Sequence, residues 1–105
     1  VKDNSIKPKV YYEHAAPENY RAAMIGTLIF NNPDSFYHNH IIFADYLSKE
    51  IFSYDYKKDK LYIINLPYFP GYLSAIENHP SDNTKILFAT NAEDGISEVY
   101  ELELP

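Results

Sequence analysis

Two histidines one residue apart, His38 and His40, and two glutamates one residue apart, Glu101 and Glu103, are the spacings here that could do chemistry. On a strand, residues i and i+2 point the same way, so either pair would converge on one side of a sheet. Two imidazoles on one side suit a metal, but a zinc site needs three or four ligands. His14 and His79 fall in unrelated segments, so no metal and no other cofactor is expected. Two neighbouring carboxylates can share a proton. Acid–base work of the glycosidase kind needs one of them in an apolar pocket and the other wet. Nothing around Glu101 and Glu103 separates their environments. GxGxxG, P-loop, HExxH and GxSxG motifs are absent. With no cysteine there is no thiolate chemistry. The expectation is a protein that is not an enzyme.

Tyrosine and charge carry more information. Tyrosine occurs 11 times and phenylalanine 6 times. Tyrosine is stiff and amphipathic, and it is enriched where proteins bind one another. Along "IFSYDY" the aromatics fit a sheet core, but "PYFPGY" places Tyr68, Phe69 and Tyr72 in one short loop between prolines. Either they contact a partner or they plug one end of the fold. Residues 1–76 carry equal numbers of acidic and basic side chains. Residues 77–105 carry Glu77, Asp82, Glu93, Asp94, Glu98, Glu101 and Glu103 against Lys85 alone, which is the entire net charge of −6. That asymmetry points away from nucleic acid as a direct ligand and toward a basic partner.

The closing "GISEVYELELP" alternates as a strand does. Ile96, Glu98, Tyr100, Leu102 and Leu104 face one way, and Ser97, Val99, Glu101 and Glu103 face the other. Glu98 breaks the apolar side, so a bulge near Val99 is expected, or a strand that joins its sheet only after that point. The glutamates either guard an exposed edge against aggregation or form an acidic docking surface, extended by Glu93 and Asp94 in the preceding loop.

These residues need strands to position them. "KVYYEH" (9–14) reads as a strand and "APENYRAAM" (16–24) as a short helix ending near Gly26. "GTLIF" (26–30) is a strand, and residues 36–50 lean toward strand through β-branched and aromatic enrichment. Residues 50–66 form a hairpin around "KKDK", with "LYIINL" apolar on both sides as a central buried strand would be. Residues 74–78 suggest one helical turn. Residues 85–104 form a second hairpin. The fold class is mainly β, a β-rich α+β chain whose antiparallel sheet makes a small sandwich or barrel with one or two short helices. A chain of 105 residues is a single domain, 1–105. No leader or membrane-length apolar run is visible. The absence of cysteine fits a reducing cytoplasm.

In composition and charge placement the chain resembles bacterial immunity proteins. Members of that class neutralise toxins, including the nuclease toxins of contact-dependent growth inhibition. The resemblance implies an inhibitor that binds a basic protein toxin, a nuclease above all, and does not engage nucleic acid or membrane itself. The surface expected to carry it comprises Glu93, Asp94, Glu98, Glu101, Glu103, Tyr68, Phe69 and Tyr72. A carbohydrate-binding β-sandwich would also use exposed tyrosines but leaves the acidic segment without a role. A non-catalytic interaction domain is the third possibility.

Overall fold

The computed structural model describes residues 23–92 and 94–105, and among those residues the chain is all β. Strands β1 (Met24–Ile29), β2 (Ile41–Asp45), β3 (Ile51–Asp55) and β4 (Lys60–Ile64) form one sheet in that order. Strands β5 (Tyr72–Asn78), β6 (Lys85–Asn91) and β7 (Ser97–Glu103) form the second. Within each sheet every strand pairs antiparallel with the next. This is the mainly β antiparallel architecture expected, built as two sheets with hairpins at β3–β4 and β6–β7, and the described residues contain none of the short helices expected with it.

Period-two alternation sorts the side chains. Ile42, Ala44, Ile51 and Ile64 of the first sheet meet Leu73, Ile76, Ile86 and Phe88 of the second in one buried cluster, with Leu28, Phe30, Phe69 and Leu104. The sheets join along β1 and β5, where Asn78 Nδ2 donates to the Ile29 carbonyl at 3.3 Å. Gly26 makes that approach possible. Its φ is +69°, and a Cβ there would lie 2.4 Å from Ile76 Cγ1. Both strands bulge at the seam, β1 between Ile25 and Leu28 and β5 between Leu73 and Ala75.

Two turns share one construction. Asp45 Oδ2 accepts hydrogen bonds from the Leu47 and Ser48 amides, and Asp55 Oδ1 from those of Lys57 and Lys58. Four residues after each aspartate the backbone turns left-handed, at Lys49 (φ 62°) and Asp59 (φ 54°). An aspartate cap followed by a left-handed residue closes the β2–β3 and β3–β4 hairpins.

Several expectations need correction. The strand at 9–14 and the helix at 16–24 lie outside the described residues, except that Met24 already opens β1. Residues 74–78 are not a helical turn but part of β5. The β5 bulge brings Leu73 and Ile76, three residues apart, to the same core, which imitates helical spacing. No bulge disturbs β7, whose register with β6 is continuous from Ser97 to Glu103. Glu98 lies on the inward side of that strand, opposite the buried Thr90, yet is exposed because, among the described residues, β7 pairs with β6 alone. Within 36–50 only Ile41–Asp45 is a strand.

β4 is not central. Among the described residues it pairs with β3 alone, and Leu61 and Ile63 are 42% and 48% exposed. Their apolar character continues a second cluster on the outer face of the first sheet, Phe43, Phe52 and Tyr54 with Ile41. Register sets Leu61 beside Tyr54 and Ile63 beside Phe52.

The crossing from β4 to β5 closes one end of the core. Phe69, expected as a contact residue, is only 6% exposed, while Tyr68 beside it is 88% exposed. The Phe69 ring packs 5.3 Å from Phe88 and 6.1 Å from Tyr100, and Phe88 stacks on Tyr100 at 5.2 Å. The plug is therefore Phe69, and a surface role falls to its neighbour. Phe69→Ala should cost about 3–5 kcal/mol of stability. Tyr68→Ala should change it by no more than about 0.5 kcal/mol. Urea unfolding of the two variants measures the difference.

Candidate functional site

The pleat of β6 decides what the second sheet shows to water. Ile86, Phe88 and Thr90 point into the core, so Lys85, Leu87, Ala89 and Asn91 must point out. Register then builds the outer face. Ala89 lies between Ala75 and Val99, and Leu87 lies between Glu77 and Glu101. Val99 is 69% exposed. Ala75, Glu77, Leu87, Ala89 and Val99 line a shallow depression of about 220 Å³. No described strand or helix covers it. The result is an apolar strip flanked by Glu77 on one side and by Glu101 and Glu103 on the other.

Glu101 is held in place. Its Oε2 accepts a hydrogen bond from His79 Nε2 at 2.8 Å, and its Oε1 one from Lys85 Nζ at 3.3 Å. His79 Nδ1 accepts hydrogen bonds from the Ser81 and Asp82 amides at 3.1 and 3.0 Å, so the ring proton belongs on Nε2, facing the carboxylate. The His79 hydrogen bond first, and then Lys85, hold the Glu101 carboxyl below its ordinary value of 4.5. Lys85 also approaches Asp82 at 3.6 Å. The one basic residue of the acidic segment is thus spent on Glu101 and Asp82. Exposed pairs of this kind add little stability but fix where a charge sits.

The other expected contact residues lie elsewhere. Glu98 is on the opposite side of β7 from Glu101 and Glu103, and accepts a hydrogen bond from the Tyr100 hydroxyl at 2.7 Å. Asp94 is exposed in the β6–β7 loop, where its Oδ1 accepts from the Ile96 amide at 3.0 Å. It lines a recess with Tyr68 and Tyr72, at the aromatic end of the molecule. Tyr72 is half-buried and stacks on Tyr46 at 5.1 Å. Glu93 lies outside the described residues. The expected surface therefore divides in two: an outer sheet face with Glu101 and Glu103, and an aromatic end with Tyr68, Tyr72 and Asp94.

The histidine pair does not converge. His38 and Asn39 belong to the turn before β2, Asn39 with φ 66°, and His40 turns inward. His40 Nδ1 lies 2.7 Å from Ser53 Oγ, and Nε2 lies 3.5 Å from Asp55 Oδ2. A carboxylate can only accept, so the neutral ring keeps its proton on Nε2 and accepts the Ser53 hydroxyl proton at Nδ1. Serine, histidine and carboxylate in a row suggest a nucleophile relay. Ser53, however, is fully buried, and its oxygen cannot meet a substrate arriving from solvent. The ring stacks on Tyr62 at 6.0 Å, so the cluster seals the end of the first sheet. Among the described residues no three histidine or carboxylate side chains gather to hold a metal ion. Nor is any helix among them long and apolar enough to cross a membrane.

Sequence reasoning gives Glu77, Leu87 and Val99 no place in the expected surface. The alternation of "KILFAT" carries the signal for Leu87, and that of the closing strand sets Val99 on the same side as Glu101. No protein-family model matches the chain, and comparison with curated proteins and with solved structures returns no match.

Burial is the largest influence on His40 and lowers its pKa below 6.5, with Asp55 opposing. Between the folded value and 6.5 the unfolded chain takes up a proton that the folded chain refuses. That contribution to stability must therefore fall as the pH drops through 6.5. Urea midpoints measured from pH 7.5 to 5 should decline, and His40→Gln should flatten the decline. Equal slopes for the two proteins would show that His40 does not govern it.

Proposed function

We propose that this chain is a non-catalytic binding domain that captures a basic protein on the outer face of β5–β7. The captured protein is most specifically a bacterial toxin of the nuclease kind, which the chain neutralises as an immunity protein. The observation that supports this best is the pairing of an apolar strip, Ala75, Leu87, Ala89 and Val99, with Glu77, Glu101 and Glu103 along its sides. A sheet face with only solubility to serve would alternate polar residues across this strip.

The physics of the pairing is coherent. A nuclease has to hold phosphates, so its working surface is basic. Carboxylates on the inhibitor raise the rate of encounter by long-range attraction. An apolar centre then slows dissociation, because it is dry in the complex while the charged rim stays wet. Glu101 serves as a fixed anion, already oriented by His79 and Lys85. Glu77 and Glu103 are exposed on the same face and supply steering.

The test is binding kinetics with the purified partner at two ionic strengths. Glu77→Lys/Glu103→Lys should lower the association rate about tenfold or more and flatten its salt dependence. Lys57→Glu/Lys58→Glu, in the β3–β4 turn of the other sheet, should leave association within about twofold. The partner's nucleic-acid cleavage should be suppressed at one-to-one stoichiometry. Unchanged association for the glutamate reversal would remove the proposed surface. A partner without toxicity would remove the immunity assignment while leaving the binding domain.

A further inference from the structure

At the aromatic end the ammonium of Lys49 is caged. Its Nζ lies 5.4 Å from the ring centroid of Tyr68, 5.3 Å from that of Phe69 and 5.7 Å from that of Tyr72. It also donates a hydrogen bond to the Phe69 carbonyl at 3.0 Å. Two of the three rings are positioned by other contacts. Phe69 is anchored in the core on Phe88, and Tyr72 is stacked on Tyr46. Those two walls thus stand independently of the lysine, while Tyr68 is exposed.

Open recesses flank this side chain on both sides. One, of about 270 Å³, runs past Ser48 and Glu50 to Asn65. The other, of about 300 Å³, runs past Tyr72 and Gly71 to Asp94. Lys49 and Tyr68 line both, so they form the partition between them. With the lysine withdrawn, the space beside Tyr68 would open to both recesses, with aromatic walls and with Glu50 and Asp94 in the lining. That is the chemistry of a cation site. The attraction of an aromatic face for a cation does not depend on which molecule carries the charge. A lysine held there also forgoes the rotamer freedom of its four-carbon stem, which it regains on release to water.

We propose that Lys49 is a placeholder in a cation cage, displaced by an arginine side chain of the basic partner when the complex forms. Arginine is the better tenant. Its guanidinium is planar, more weakly hydrated than an ammonium, and stacks on aromatic rings while pairing with a carboxylate. The identity of the partner rests on the function proposed above. The cage can be tested without it.

The experiment titrates the protein, ¹³C-labelled at the lysine ε-carbons, with N-acetyl-arginine amide, using N-acetyl-glutamine amide as the neutral control. In the wild type the Lys49 ε-methylene resonance starts upfield, shielded by the rings. The arginine amide should move it to the position of an exposed lysine, and the glutamine amide should not. Lys49→Ala, with its competitor gone, should bind the arginine amide about tenfold more tightly than the wild type. Adding Tyr68→Ala to that variant should abolish the gain. The wild-type titration decides even if Lys49→Ala fails to fold. A Lys49 resonance unmoved at saturating arginine amide, or moved equally by the glutamine amide, would overturn the proposal. Displacement in a protein whose Glu77→Lys/Glu103→Lys variant still associates normally would keep the cage and discard the sheet face. The reverse pattern would keep the face and discard the cage.

Discussion

Phe69 in the core is the contact on which the arrangement of this molecule depends. Two antiparallel sheets joined along β1 and β5 leave the other end of their shared core open, and Phe69 closes it against Phe88 and Tyr100. To reach that position the chain between β4 and β5 must lie across the open end. Tyr68 is then turned into solvent, and the Phe69 carbonyl meets the ammonium of Lys49. Leaving β5 in line with β6 also sets Ala75 beside Ala89 and Glu77 beside Leu87. One buried ring therefore organises the aromatic end and helps fix the face formed by β5, β6 and β7.

The charge of the molecule is arranged on this frame, not spread over it. Seven of the acidic residues follow position 76, yet those among the described residues do not make one patch. Glu77, Glu101 and Glu103 flank an apolar strip, Glu98 looks the other way with Tyr100, and Asp94 joins the aromatic end. Lys85 is committed to Glu101 and Asp82, so it orients the acidic face and offsets only part of its charge. Screening limits each charge to roughly 8–10 Å at physiological salt, so these groups act as neighbouring surfaces and not as one field.

What could be read from the sequence follows the physics of alternation. The two hairpins, the inward Tyr100, Leu102 and Leu104, and the outward Val99, Glu101 and Glu103 were legible because period two leaves its mark in residue order. Features set by packing across the fold were not. Residues 74–78 suggest a helical turn, whereas they belong to a strand in which a bulge brings Leu73 and Ile76 to one side. "LYIINL" looked central because an apolar outer face on the first sheet imitates burial on both sides. Phe69 and Tyr68 are adjacent and chemically alike, and only the open end of the core distinguishes the plug from the exposed ring. Lys49 came to its cage through a left-handed turn, which no periodicity announces.

The proposed contact is between the outer face of β5–β7 and a basic protein. Methyl NMR of the chain, alone and mixed with a candidate basic partner, tests it most directly. The methyl groups of Ala75, Leu87, Ala89 and Val99 should shift and become shielded from a paramagnetic agent in the solvent. Those of Leu61 and Ile63, on the outer face of the other sheet, should stay as they are. Shielding of Leu61 and Ile63 with Leu87 and Val99 unchanged would contradict it.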